Sequence, residues 1–142
     1  GGASLRDMGW YYNDTVSAGQ PGDILSWWVY TLFGRSYLGF DSDGVDARSF
    51  VIAPNTGDIR FQDNPNFEHV ELNLSYQGFG LSWYYVEVEF FGGGRVVGRV
   101  YDDDGTTLLN SLEQSYDDTD LSGGIAIRSV FGNRVDRVRL CR

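Results

Sequence analysis

The sequence predicts an all-β fold built from two packed antiparallel sheets. Three observations carry this prediction. Short apolar segments, several with a period of two, recur along the 142 residues, and such segments are typical of strands. Nineteen glycines, with clusters of Asn, Asp and Ser, separate these segments in the way that turn residues do. A period of 3.6 residues appears only in Leu108 to Tyr116, so a helical fold is not expected.

Each predicted strand ends at residues that favour turns. The predicted strands are Met8 to Val16, Ile24 to Phe33, Arg35 to Phe40, Arg48 to Ala53, Asp58 to Gln62, His69 to Tyr76, Leu81 to Phe91, Arg95 to Tyr101, Leu108 to Tyr116, Ile125 to Val130 and Val135 to Cys141. The strand Leu81 to Phe91 alternates most clearly. One of its faces comprises Tyr84, Val86, Val88 and Phe90, and the other comprises Tyr85, Glu87, Glu89 and Phe91. Hairpin turns are predicted at Gly92 to Gly94 and at Asp102 to Gly105.

The segment Leu108 to Tyr116 fits two structures. Its apolar residues satisfy a helical period, yet Leu108, Leu112 and Tyr116 also share one face of a strand. Because it lies between strong strands and hairpin turns, we interpret it as a strand. About ten strands in one chain must protect their edges, which jelly-roll connections between two sheets achieve. We therefore expect a single jelly-roll domain over residues 1–142.

Composition and charge exclude several classes of function. The net charge is −9, all eleven basic residues are Arg and Lys is absent, so a basic surface for nucleic acid is not expected. The same charge disfavours acidic polymers and anionic membranes. The apolar runs are too short to span a bilayer, and we expect no signal peptide in this sequence. We expect a mature chain or a module fused to other domains of a larger secreted protein. Cys141, the single cysteine, excludes an intramolecular disulfide.

The aromatic residues, 15% of the chain, suggest a sugar-binding surface. Trp27 and Trp28 are adjacent in a strand, so their side chains point to opposite sides. The apolar set that we predict to face the core is Leu25, Trp27 and Val29. Trp28 and Tyr30 then lie on the outer face, where sugar rings can stack on flat aromatic side chains. Alternatively, a loop or the first strand covers Trp28, in which case the covering residues are Trp10, Tyr11 and Tyr12.

Polar side chains would complete such a site by hydrogen bonding to sugar hydroxyls. Arg60 and Gln62 project away from the apolar face of their strand, and Asn64 is predicted in the loop that follows. The candidate ligand-binding residues are Trp28, Tyr30, Tyr37, Arg60, Gln62 and Asn64.

Two carboxylates raise the question of catalysis. Glu87 and Glu89 project to the same face of one strand, at a spacing that suits retaining glycoside hydrolysis. An exposed pair of acids is also the ordinary pattern of a solvated strand face. His69, the only histidine, is predicted at the surface, and no Gly-x-Ser-x-Gly nucleophile motif is present. We expect a protein without catalytic activity.

Aspartates grouped around glycines are candidates for a structural calcium site. Asp41, Asp43 and Asp46 surround Gly44 with oxygen ligands of the kind that calcium prefers. No Glu stands where an EF-hand requires one, and Asp-Gly clusters also form ordinary turns. The aspartates of Asp102 to Gly105 are interpreted as a turn.

The order of several motifs resembles concanavalin A-like (laminin-G-like) jelly-roll domains of bacterial and archaeal secreted proteins. The segments that carry the resemblance are Gly22 to Val29, Tyr37 to Phe40, Ala53 to Ile59, Trp83 to Glu89, Val100 to Thr106, Ser122 to Arg128 and Val135 to Leu140. The resemblance implies a two-sheet sandwich, often appended to glycan-active or adhesive proteins. Many such domains bind sugars, some bind calcium or protein, and some are hydrolases. The glucanases among them carry Glu-x-Asp-x-x-Glu, whereas this chain has Glu at 87 and 89 and Gly at 92.

These observations together predict a non-catalytic, lectin-like module that binds polysaccharide or cell-surface glycan outside the cell. Two alternatives stay open at this point. One is a structural or adhesive module that binds protein, and the other is a glycoside hydrolase.

Overall fold

The fold, seen in a computed structural model that describes residues 2–5 and 9–142, consists of two antiparallel sheets. The strands are β1 (Gly2–Leu5), β2 (Trp10–Ala18), β3 (Ile24–Tyr30), β4 (Ser36–Ser42), β5 (Ala47–Ala53), β6 (Asp58–Asn64), β7 (Val70–Tyr76), β8 (Trp83–Gly92), β9 (Arg95–Tyr101), β10 (Leu108–Ser115), β11 (Gly123–Ser129) and β12 (Arg134–Cys141). The seven-stranded sheet has the order β1-β2-β11-β4-β5-β6-β7, and the five-stranded sheet has the order β10-β9-β8-β3-β12. This arrangement confirms the predicted two-sheet jelly roll.

Most predicted strands form close to their predicted bounds. The ambiguous segment is a strand, β10, as interpreted from its position between hairpins. The predicted first strand corresponds to β2, although Met8 lies outside the described residues. Asn64 was placed in a loop, which is wrong: it is the last residue of β6 and pairs with Ala47 of β5. Its buried side chain accepts a hydrogen bond from the Ser49 hydroxyl at 2.7 Å, and this bond holds the end of the strand in the sheet.

The core lies between the two sheets and is built from alternate residues of each strand. Leu25, Trp27 and Val29, the set predicted to face the core, have no exposed surface. Large aromatic residues meet them from the seven-stranded sheet; Phe40, for example, packs edge-to-face on Phe90 with ring centroids 5.2 Å apart. The residues between these core positions therefore form the outer face of each sheet. Within the described residues, no helix is long and apolar enough to cross a membrane.

Candidate functional site

The outer face of the five-stranded sheet carries five partly exposed aromatic residues, which we call the aromatic strip. They are Trp28, Tyr30, Trp83, Tyr85 and Tyr101. Strand register brings them together, because Tyr85 of β8 pairs with both Trp28 of β3 and Tyr101 of β9. The ring centroids are 5.2 Å apart for Trp28 and Tyr85, and 5.7 Å apart for Tyr85 and Tyr101. Three rings thus form a row across neighbouring strands, at the spacing of the strands themselves.

The second row of the strip lies two residues further along β3 and β8. There Tyr30 and Trp83 pack edge-to-face, with centroids 5.5 Å apart. Each member of the strip alternates with a core residue, so the same backbone that buries Trp27 turns Trp28 outward. The predicted outward position of Trp28 and Tyr30 is therefore confirmed. Neighbouring rings cover one another only in part, and their remaining surface is open to solvent.

A charged cluster lies next to the strip, further along β8 and β9. The Arg99 guanidinium lies 2.8 Å from Glu89 Oε1 and 3.2 Å from Glu87 Oε1. The Tyr101 hydroxyl donates a hydrogen bond of 2.8 Å to Glu87 Oε1. Burial, together with this bond to Glu87, raises the pKa of Tyr101 to about 12, because both disfavour the phenolate. Glu87 and Glu89 share one face as predicted, and both are paired with Arg99.

A groove of about 400 Å³ extends the strip toward the edge of the sheet, a volume in the range of small-ligand pockets. The lining residues are Trp28, Trp83, Asp103, Asp136 and Arg137. Asp103 comes from the hairpin between β9 and β10, whereas Asp136 and Arg137 come from β12. The groove therefore places two carboxylates and a guanidinium beside the indole rings of the strip.

A β-bulge in β12 shapes one wall of the groove. The register against β3 shifts between Asp136 and Arg139, and Arg137 has a positive φ of 55°. This conformation is unfavourable for a side chain larger than glycine. Bulges redirect side chains next to binding sites, and this one places Arg137 at the groove, 3.7 Å from the Asp136 carboxylate.

The hairpin at Asp102 to Gly105 forms the opposite wall and is the turn that the sequence predicts. The Asp104 carboxylate accepts hydrogen bonds from the amides of Thr106 and Thr107. A hydrogen bond from the Thr107 side chain, followed by the two amides, lowers the pKa of Asp104 to about 2. A Cβ added to Gly105 would lie 3.1 Å from the Trp28 ring. The hairpin therefore packs on one edge of Trp28, and β2, considered as an alternative cover, belongs to the other sheet.

The remaining predicted ligand residues lie elsewhere, on the outer face of the seven-stranded sheet. They are Tyr37, Arg60, Gln62 and Asn64, and all four are buried. The guanidinium of Arg60 makes two hydrogen bonds of 2.7 Å to Asp58 and an ion pair of 2.7 Å to Glu71. The structure therefore does not bring these four side chains to the strip, and ligand binding at them stays a prediction.

Aromatic and polar contacts close this second face. Tyr37 lies between Trp10, at 5.2 Å, and His69, at 5.5 Å, measured between ring centroids. The Asn64 amide donates to the Glu68 carbonyl at 2.9 Å. His69 lies at the surface, as predicted, with one side of its ring packed against Tyr37. Partial burial, followed by the charges of Arg128 and Arg35, lowers its pKa.

The three aspartates proposed as calcium ligands have separate hydrogen-bonding partners. Asp41 pairs with Arg48 at 3.0 Å. Asp43 Oδ1 accepts from the amides of Val45 and Asp46, and Asp46 Oδ1 accepts from the amide of Asn66. In the part of the chain that the structure describes, no group of three or more His, Cys, Asp or Glu residues is placed to hold a metal ion. Calcium binding by Asp41, Asp43 and Asp46 stays a prediction of the sequence.

Comparison with known proteins shows the fold. No protein-family model matches the sequence, and no curated protein matches it. Among solved structures, the chain is similar to the carbohydrate binding module CBM66 from Bacillus subtilis, with a TM-score of 0.66 and 14% identity over 99% of this chain and 90% of that one. It is also similar to the Caenorhabditis elegans galectin LEC-6, with a TM-score of 0.61 and 14% identity over 99% of both chains. Chicken galectin 2 gives a TM-score of 0.60 and 15% identity over 94% of this chain and 98% of that one. These structures share the two-sheet jelly-roll fold of the chain, which is the fold that the resemblance predicts.

Proposed function

We propose that this protein is a non-catalytic carbohydrate-binding module whose ligand lies along the aromatic strip. The observation that carries the proposal is the row of three partly exposed rings, Trp28, Tyr85 and Tyr101, on adjacent strands. The C–H faces of sugar rings pack on aromatic rings, and burial of that apolar surface favours binding. A row of such rings offers successive positions for consecutive sugar residues of a polysaccharide.

The groove supplies the polar part of the site. Asp103, Asp136 and Arg137 line it beside Trp28 and Trp83, so carboxylate acceptors and guanidinium donors meet the hydroxyls of a sugar whose face lies on an indole. A few polar groups at an apolar surface are the usual composition of a ligand site. The strip provides the area that is buried on binding, and the groove provides orientation.

The fold supports the same proposal by analogy. The similar structures include one named as a carbohydrate binding module and two galectins. An extracellular or cell-surface location, with the module attached to other domains, completes the proposal, since a module without catalysis acts by holding a linked partner on glycan.

Binding to a panel of soluble and insoluble polysaccharides tests the proposal. We expect retention on at least one glycan class and about tenfold weaker binding of Trp28→Ala, because a stacking surface is lost. Tyr76→Ala is the matched control, since Tyr76 is 79% exposed on the seven-stranded sheet. Retention that is unaffected by Trp28→Ala would place the site elsewhere, and no retention on any glycan would reject the function.

A protein-binding role is the second candidate, favoured by two exposed phenylalanines. Phe33 and Phe131 are 75% and 80% exposed, and they lie on loops joined by Asn133, whose side chain accepts from the Leu32 amide and donates to the Gly34 carbonyl. Exposed apolar tips are typical of contact surfaces. This role would be established instead if the domain bound no glycan and if Phe33→Ser abolished its binding to a protein partner.

A further inference from the structure

One of the aspartates that line the groove, Asp103, differs from its neighbours in the hydrogen bonds of its carboxylate. The carboxylates of Asp102 and Asp104 accept hydrogen bonds from backbone amides of their own hairpin. Within the described residues, the Asp103 carboxylate makes no hydrogen bond and no ion pair, although it lines the groove. The hairpin therefore holds a free negative charge beside the Trp28 ring.

A second carboxylate faces the same groove from β12. Asp136 lies across from Trp28 in the strand register, and its ion pair with Arg137 is 3.7 Å long between side chains that are 61% and 65% exposed. Such an exposed pair is weak and readily exchanged. The lining side chains of the groove, two aspartates and one arginine, sum to one negative charge, in a chain whose net charge is −9.

The neighbouring acids do not share this character. Glu87 and Glu89 are paired with Arg99, so the exposed carboxylates beside the indole rings of this face are those of Asp103 and Asp136. Indole rings attract cations through their π faces, and carboxylates attract them through charge. The groove thus combines cation–π and charge interactions for a cation that is attached to a sugar ring. The indoles are Trp28 and Trp83, and the carboxylates are Asp103 and Asp136.

We propose that the glycan bound here contains amino sugars with free, protonated amino groups. This inference rests on the proposed function and names its ligand class. The C–H face of an amino sugar packs on Trp28, and its ammonium group lies toward Asp103 and Asp136. Arg137 donates to hydroxyls of the same residue. The acidic chain as a whole attracts a cationic polysaccharide from a distance.

Three oligosaccharides of equal length test the ligand class by isothermal titration calorimetry. The probes are a β-linked glucosamine hexasaccharide, cellohexaose and the N-acetylglucosamine hexasaccharide. Glucosamine differs from the glucose unit of cellohexaose by an ammonium group in place of one hydroxyl. At about pH 5.5, where amines and carboxylates are both charged, we expect about tenfold tighter binding of the glucosamine probe than of the other two. Added salt is expected to reduce this preference.

Variants at the groove separate local recognition from overall charge. Asp103→Asn with Asp136→Asn is expected to remove the preference and to leave cellohexaose binding within about twofold. Asp117→Asn with Glu68→Gln is the matched control, because both residues are exposed and neither lines the groove. It removes the same two charges from the net charge.

The outcomes distinguish the two proposals. Equal binding of the three probes overturns the amino-sugar inference and leaves carbohydrate binding standing. A preference that the control double variant reduces as much as the groove variant does is attraction by net charge, and it also overturns the inference. Failure of all three probes, while another glycan of the panel is retained, rejects the ligand class alone, whereas failure on every glycan rejects both.

Discussion

The outer faces of the two sheets use similar residues to opposite effect. On the five-stranded sheet, Trp28 and its aromatic neighbours are partly exposed and lie beside a groove. On the seven-stranded sheet, Tyr37 is 2% exposed and Arg60 is 9% exposed, because each is packed against other side chains of its own face. Aromatic and polar side chains therefore predict a binding surface only where the fold leaves their contacts incomplete.

The reason lies in what surrounds each residue. The outer face of the seven-stranded sheet, which we call the closed face, has small side chains along β5, and larger residues of β4 and β6 cover them. The covered residues are Ala47, Ser49, Val51 and Ala53. On the outer face of the five-stranded sheet, which we call the open face, β3, β8 and β9 all present large rings at paired positions, and these rings cover one another only in part. The closed face stabilises the fold, and the open face is where we propose that the ligand binds.

The largest effect on stability is expected for a variant that disrupts the closed face. Burial raises the pKa of Asp58, but hydrogen bonds from Arg60 and Thr56 outweigh it and lower the pKa. Arg60→Ala removes the partner of this buried carboxylate, and we expect a loss of about 3 kcal/mol in the free energy of unfolding, measured by urea denaturation.

The matched variant on the open face is Arg99→Ala. Arg99 is 22% exposed, and its partners Glu87 and Glu89 are 12% and 25% exposed, so we expect a loss of about 1 kcal/mol after screening by solvent. Similar losses for Arg60→Ala and Arg99→Ala would contradict the distinction between the two faces.

A smaller effect, on binding rather than on stability, is expected in the middle of the strip. Tyr85 lies between Trp28 and Tyr101, so Tyr85→Ala interrupts the row and is expected to weaken glycan binding by about 1 kcal/mol. Tyr85→Phe keeps the ring and is the control. Equal losses for the two variants would show that the hydroxyl, not the stacking surface, is recognised.

The smallest effect concerns pH. Because partial burial and the charges of Arg128 and Arg35 lower the pKa of His69, the unfolded chain binds a proton more readily near pH 6.5 than the folded chain does. The free energy of unfolding is therefore expected to rise with pH through this range and to level off above it. His69→Gln is expected to flatten the rise, measured by urea denaturation between about pH 5 and 8. A rise that persists in His69→Gln would assign it to other groups.

The sequence was sufficient for the strands, the two-sheet fold and the outward direction of Trp28. Alternation along one strand is a local property, because successive side chains must point to opposite sides. The core positions Leu25, Trp27 and Val29 follow from the same rule. The turn at Asp102 to Gly105 was also readable, since its residues suit a tight hairpin.

Which residues make up the site could not be predicted from the sequence. Tyr85 and Tyr101 join Trp28 only because β8 lies between β3 and β9, and strand order within a sheet depends on long-range pairing that alternation does not specify. Arg137 reaches the groove through a bulge, and Asp103 through a hairpin that packs on Trp28. Tyr37, Arg60, Gln62 and Asn64 carried suitable chemistry but were placed on the closed face.

What the sequence alone determined is the side of each strand on which a residue lies, because that depends on neighbours along the chain. Which residues from distant strands meet, and whether their surfaces stay open, was decided only by the tertiary structure. Exposure depends on the packing of side chains brought together from separate parts of the chain, as the contrast between Trp28 and Tyr37 shows.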